Sequence, residues 1–174
     1  MALTLDSISV KQELDTADDL SWIGTYTDTW EDHYICTVCG DFLGDHDHLG
    51  CYYSPRGWKY FAPYAGGEKP DSKYYREYAL QDYNRMVAYN RNDWWMIGII
   101  AEAVVSYQIN RHDKRLECFT SCGLWGIESD SDGKYIEQEA RNQLDDLKDH
   151  LSRFGVDLSN FDGLAEKALA EADL

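Results

Sequence analysis

At 174 residues the chain is long enough to bury one good core and short for two, so a single α+β domain over residues 1–174 is the expectation. Its 44% hydrophobic and 14% aromatic content excludes a disordered acidic tail, and a net charge of −16 disfavours direct binding to a phosphate backbone. The charge is laid down in blocks: residues 1–50 hold eleven acids against one base, residues 51–115 seven against ten, and residues 116–174 fourteen against five. The longest apolar run, Trp94 to Ala101, is less than half a membrane span, and the amino terminus carries no basic or apolar leader, which points to the cytosol and to no membrane partner.

Ser7 to Leu14 alternates apolar and polar residues and reads as a half-buried strand. Residues 20–50 show no sustained period, and an irregular acidic loop region is expected at about 25–55. Cys51-Tyr-Tyr and Trp58-Lys-Tyr-Phe flank Ser54-Pro55-Arg56-Gly57, a type I turn pattern that predicts a short hairpin. Pro63 to Pro70 is a loop, and Asp71 or Ser72 is placed to cap the helix that follows. In that helix Tyr75, Tyr78, Ala79, Tyr83, Met86 and Tyr89 form one aromatic stripe, interrupted by the carboxylate of Asp82.

Met96 to Gln108 predicts a long central strand, apolar on both faces in its first half, and Arg115 to Trp125 a second strand joined to it by a polar hairpin loop. Cys118 and Cys122 then share a face but are too far apart to bridge. A second helix starts near Asp130 to Gly133 and runs to Phe154 before Gly155, its inward stripe made by Ile136, Ala140, Gln143, Leu144, Leu147, Leu151 and Phe154. A short helix at about Asn160 to Glu171 closes the chain. Together these give an antiparallel sheet with a central hairpin, packed by two longer helices and a short C-terminal one.

Three constellations bear on chemistry. Cys36-Thr-Val-Cys39-Gly40 has the turn of a zinc knuckle, and His46, His48 and Cys51 follow within twelve residues of Cys39, with His33 just before. The spacing matches no standard finger, so the pair reads either as ordinary loop thiols or as half of a structural zinc site completed by two of His33, His46, His48 and Cys51; Cys36, Cys39, His46 and Cys51 are the preferred set. Glu128-Ser-Asp130-Ser-Asp132-Gly133 with Glu139 mimics a calcium loop, but a strand end precedes it and Asp132 is better used at a helix start; calcium is not expected. The third constellation is the acidic surface: Asp15, Asp18, Asp19, Asp28, Glu31, Asp32, Asp41, Asp45 and Asp47, together with Asp145 and Asp149 on the second helix. Such a surface either solubilises the chain or imitates nucleic-acid phosphates toward a basic protein groove.

The segments Tyr83 to Ala103 and Gly123-Leu-Trp-Gly-Ile-Glu-Ser-Asp-Ser-Asp-Gly-Lys-Tyr-Ile, with Asp18 to Gly24, resemble a group of small acidic proteins of unknown function encoded by phages, prophages and other mobile elements. The resemblance implies no activity or catalytic residue. It implies a setting, the interior of an infected or lysogenised bacterium, and it leaves out residues 30–65 and hence the cysteine pair. The combined expectation is a non-enzymatic phage inhibitor that binds a basic surface of a host defence complex of the anti-CRISPR or anti-restriction type. The alternative is a small metal-binding module or enzyme, with its site around Asp82, Glu102 and Trp125 or at the cysteines.

Overall fold

In chain order the computed structural model has strands β1 (Leu3–Leu14), β2 (Gly24–Thr27), β3 (Ile35–Cys36) and β4 (Tyr60–Pro63), helix α1 (Tyr75–Asn90), strands β5 (Met96–Gln108), β6 (Lys114–Thr120) and β7 (Leu124–Glu128), helix α2 (Gly133–Arg153), strand β8 (Val156–Asp157) and helix α3 (Phe161–Glu171). It describes residues 3–17, 19–45, 51, 57 and 59–174. The class is mixed α and β, with one curled, mostly antiparallel sheet and a small second sheet. Contacts gather into two units, Met1–Thr16 with Trp95–Leu174, and Ala17–Trp94. The second is inserted where β1 meets β5, because the Asp15 N–H donates to the Met96 carbonyl at 3.0 Å.

In the first unit the strands run β6-β5-β1-β8, with β7 pairing the start of β5 beside β6. β1 and β5 are antiparallel from Leu3↔Tyr107 to Leu14↔Ile97, with a bulge between Leu5 and Ser7. The extra residue resets the alternation, so that Leu5, Ile8 and Val10 all belong to the core although their spacing is three and two. From β5 every second residue, Ile97, Ile99, Ala101, Ala103 and Val105, enters that core against Ile136, Ala140, Leu144, Leu147 and Leu151 of α2. Helix α2 starts as expected, the Asp132 carboxylate accepting the Lys134 N–H at 2.8 Å, and ends at Gly155 with φ of +72°.

The long second strand expected from Arg115 to Trp125 is in fact two, β6 and β7, broken at Ser121-Cys122-Gly123. Gly123 takes φ of +74° there, and the Ser121 hydroxyl accepts the Ala101 N–H at 3.1 Å, so the chain turns where a glycine and a side-chain acceptor permit it. Cys122 lies in this break, exposed like Cys118. Phe154, assigned above to the α2 core stripe, is 56% exposed and packs edge-on with Phe119. Strand β8, two residues parallel to β1, left no pattern in the sequence.

The second unit folds the region read as irregular around a three-stranded antiparallel sheet in the order β2-β4-β3. Gly24 has φ of +147°, and a Cβ there would lie 2.5 Å from the Ala62 carbonyl, so β2 can approach β4 only as glycine. Tyr26, Phe61 and Tyr83 of β2, β4 and α1 pack ring against ring, at 5.5 and 5.7 Å between centroids, over a core that includes Ile23, Ile35, Leu43, Ala79 and Trp94. Helix α1 begins at Tyr75, later than the Asp71 or Ser72 cap implied; Ser72 serves the preceding turn, its hydroxyl accepting the Tyr74 N–H at 3.3 Å. The stripe is core at Tyr75, Ala79 and Met86, whereas Tyr78 is on the surface stacked against Tyr74. Residues 54–56 of the expected turn lie outside the described residues, and Tyr60–Pro63 pairs with β2 and β3.

Candidate metal centre

Strand β3 ends in the Cys-Thr-Val-Cys-Gly turn. The Gly40 N–H donates to the Cys36 carbonyl and the Cys36 N–H to the Asp41 carbonyl, both at 2.9 Å, with Gly40 at φ of +83°. This closes the loop so that Phe42 returns to bridge Ile35. Tyr83 of α1 backs the turn, its ring 3.6 Å from where a Gly40 Cβ would sit. Thr37 fastens the other side through its N–H and hydroxyl to the Lys59 carbonyl, at 3.0 and 2.8 Å.

The turn aims main-chain donors at the sulphurs. Cys36 receives the N–H groups of Cys39 and Val38, and Cys39 that of Asp41. The Sγ atoms of Cys36, Cys39 and Cys51 all lie within 4.8 Å of one another. Three thiolates at tetrahedral positions around zinc, with bonds of about 2.3 Å, stand about 3.8 Å apart, so the cluster is within a small closing movement of that geometry. Burial pushes the Cys36 thiol up, but the N–H groups of Cys39 and Val38 and the thiols of Cys39 and Cys51 outweigh it and leave it below its ordinary value. Burial, then the charge and hydrogen bond of Cys36, pushes Cys39 up to about 12, against the opposing Asp41 N–H; Cys51 is raised by burial and by Cys36. One thiolate is favoured and a second resisted, which is the electrostatics of a pocket that a dication would complete. The donor set therefore fits a thiophilic ion such as zinc.

His33 is not part of this cluster: its Nδ1 lies 3.6 Å from Glu31, and its ring packs against Tyr34 and Tyr75. His46 and His48, the other proposed donors, lie outside the described residues. Among those described, the three cysteines are the one group with metal-binding spacing, and Asp132 accepts the Lys134 N–H at the start of α2. The N–H donors of Val38 and Asp41 and the backing ring of Tyr83 were missed in the sequence; the glycine after the second cysteine was the signal for the first two.

Asp82 accepts the N–H groups of Ala65, at 2.6 Å, and of Tyr64, fixing the left-handed turn at Ala65-Gly66-Gly67. Glu102 pairs with Lys11 across the sheet. The proposed partner-binding acids divide between the units, Asp15, Asp145 and Asp149 in the first and Asp19, Asp28, Glu31, Asp32, Asp41 and Asp45 in the second, while Asp18 and Asp47 lie outside the described residues. Asp15 is half-buried and accepts the Gly126 N–H at 3.1 Å, and Asp45 is held by a two-pronged ion pair with Arg76; the others described are exposed. Among the described residues no helix is long and apolar enough to cross a membrane. Neither family models, nor curated proteins, nor solved structures give a match to this chain.

Proposed function

We propose that the chain is a non-enzymatic acidic interaction protein of a phage or mobile element, whose inserted unit is held by a structural zinc ion and whose carboxylates occupy a basic groove of a host nucleic-acid-binding defence complex. The zinc half of this reading is carried by the three converging sulphurs. Three thiolates leave a bound zinc ion with a net negative charge, a weak Lewis acid suited to holding a loop, and a fourth donor would come from His46 or His48.

The interaction half rests on the distribution of charge. By sequence the first unit holds nineteen acids against nine bases and the second thirteen against seven, so each is acidic by itself. On α2 the bases Arg141 and Lys148 are engaged by Glu137, Glu166 and Asp162, while Asp145, Asp146 and Asp149 remain exposed, Asp145 and Asp149 about one helical turn apart. Carboxylates in this density repel nucleic acid and attract the surfaces that bind it.

Capture from bacterial lysate tests the reading. The expected result is a basic nucleic-acid-binding protein, released by DNA or RNA in competition and by rising salt. An empty lane, or a partner that binds nucleic acid and this chain together with unchanged affinities, overturns it.

A further inference from the structure

Strand β6 is the terminal strand of the larger sheet: it pairs with β5 and, among the described strands, with nothing on its other side. Two bonds bracket its ladder, Ile109 N–H to the Asp113 carbonyl at 2.9 Å and Ser121 N–H to the Ala101 carbonyl at 2.8 Å. Alternation between them turns the main-chain groups of Arg115, Glu117 and Phe119 toward β5 and those of Lys114, Leu116 and Cys118 away from it. All of Lys114 to Cys118 is exposed, Leu116 at 60%. A row of unsatisfied N–H and C=O groups beside an exposed leucine is a template for another strand.

We propose that this edge pairs with a second copy of the chain, β6 antiparallel to β6 about a two-fold axis at Leu116. In that register Lys114, Leu116 and Cys118 each donate and accept one main-chain hydrogen bond. Leu116 lies opposite Leu116 of the second copy, and Arg115 opposite its Glu117, twice by symmetry. Charge complementarity selects this register. Centring on Lys114 opposes two lysines and runs into the turn, and centring on Cys118 sets Glu117 against Phe119, whereas centring on Leu116 joins opposite charges and apolar side chains. Arg115 makes no ion pair with the described residues of its own chain, so the contact gives it a partner. The hairpin from Gln108 to Thr120 carries three bases, Arg111, Lys114 and Arg115, against two acids, Asp113 and Glu117, and therefore brings two strongly acidic molecules together where neither is acidic.

Sedimentation of the full chain over a concentration series, under reducing conditions and at about 0.3 M salt to screen the overall repulsion, tests this. The expected result is a monomer–dimer equilibrium in which Arg115→Glu and Glu117→Arg each weaken dimerisation about tenfold, because each sets like charges opposite one another twice. The double variant Arg115→Glu/Glu117→Arg restores it to within about threefold, since it exchanges both members of every pair. The positions are exposed, and far-UV circular dichroism of each variant confirms that the monomer is folded. A monomer at every concentration, a dimer indifferent to the single reversals, or a double variant that stays monomeric overturns the proposal.

Discussion

The two units reach a buried interior by different means. In the first, regular elements supply apolar faces at periods of two and 3.6, and one sheet face with two helices encloses a core that runs from Leu5 to Ala168. In the second, strands of two to four residues and one helix surround a smaller interior in which Phe42, Phe61, Tyr75 and Trp94 pack with a few aliphatic side chains beside a thiol turn. Short strands bury too little to persist alone, and small folds of this kind are commonly completed by a metal. Packing in the first unit is thus spread over many residues, whereas in the second the proposed zinc ion at Cys36, Cys39 and Cys51 would supply what a smaller interior does not.

That contrast fails or sharpens with mutation. The largest effect is expected from Cys36→Ser, which removes the ligand most enclosed by N–H donors: the second unit should lose protection from hydrogen exchange across residues 20–45 and 59–94, with β1 and β5 still protected. In the first unit Leu147→Ala, at a site with 0% exposure, should cost about 2–5 kcal/mol in a denaturant titration, a graded loss rather than local collapse. Asp132→Ala should cost about 1 kcal/mol by removing the acceptor at the start of α2, read from the same titration.

The smallest effect concerns pH. Burial holds the Asp82 carboxyl above its ordinary range, the N–H groups of Ala65 and Tyr64 pulling the other way. A folded pKa above the unfolded one gives a contribution that is fully present below the unfolded value and lost as pH rises through the folded one. Asp82→Asn stays neutral, so wild type should lose stability relative to this variant as pH climbs through and past the carboxylate range. The difference should be under about 1 kcal/mol, because the group is only half-buried and its two N–H donors oppose the shift. Parallel stability curves for the two proteins would remove this role.

How much of this was legible follows the same division. The first unit's strand β5, its helix α2 with the Asp132 cap and Gly155 stop, and the α3 helix could be read from periodicity and caps, because each buries a face long enough to repeat its pattern. The β6–β7 break could not, since Ser121 acts through a hydrogen bond to Ala101 on a strand distant in sequence, while Gly123 permits the turn by its positive φ. In the second unit β2, β3 and β4 are too short to show a period, and their pairing is decided by Gly24 fitting under Ala62. The knuckle was legible as Cys36-Thr-Val-Cys39-Gly40, and Cys51 was rightly placed among its neighbours; that His33 turns instead to Glu31 and Tyr75 depends on contacts no spacing encodes. The charge blocks of the sequence also do not survive as regions, because the basic stretch 51–115 is divided between the units and each ends up acidic.

The most direct test of the central claim is elemental analysis of protein purified without added metal, followed by hydrogen exchange before and after a chelator. The account predicts about one equivalent of zinc, and after its removal the loss of protection in residues 20–45 and 59–94 with the β1–β5 pair unchanged. Less than about a tenth of an equivalent of zinc, in a protein whose second unit is nevertheless protected, would contradict it.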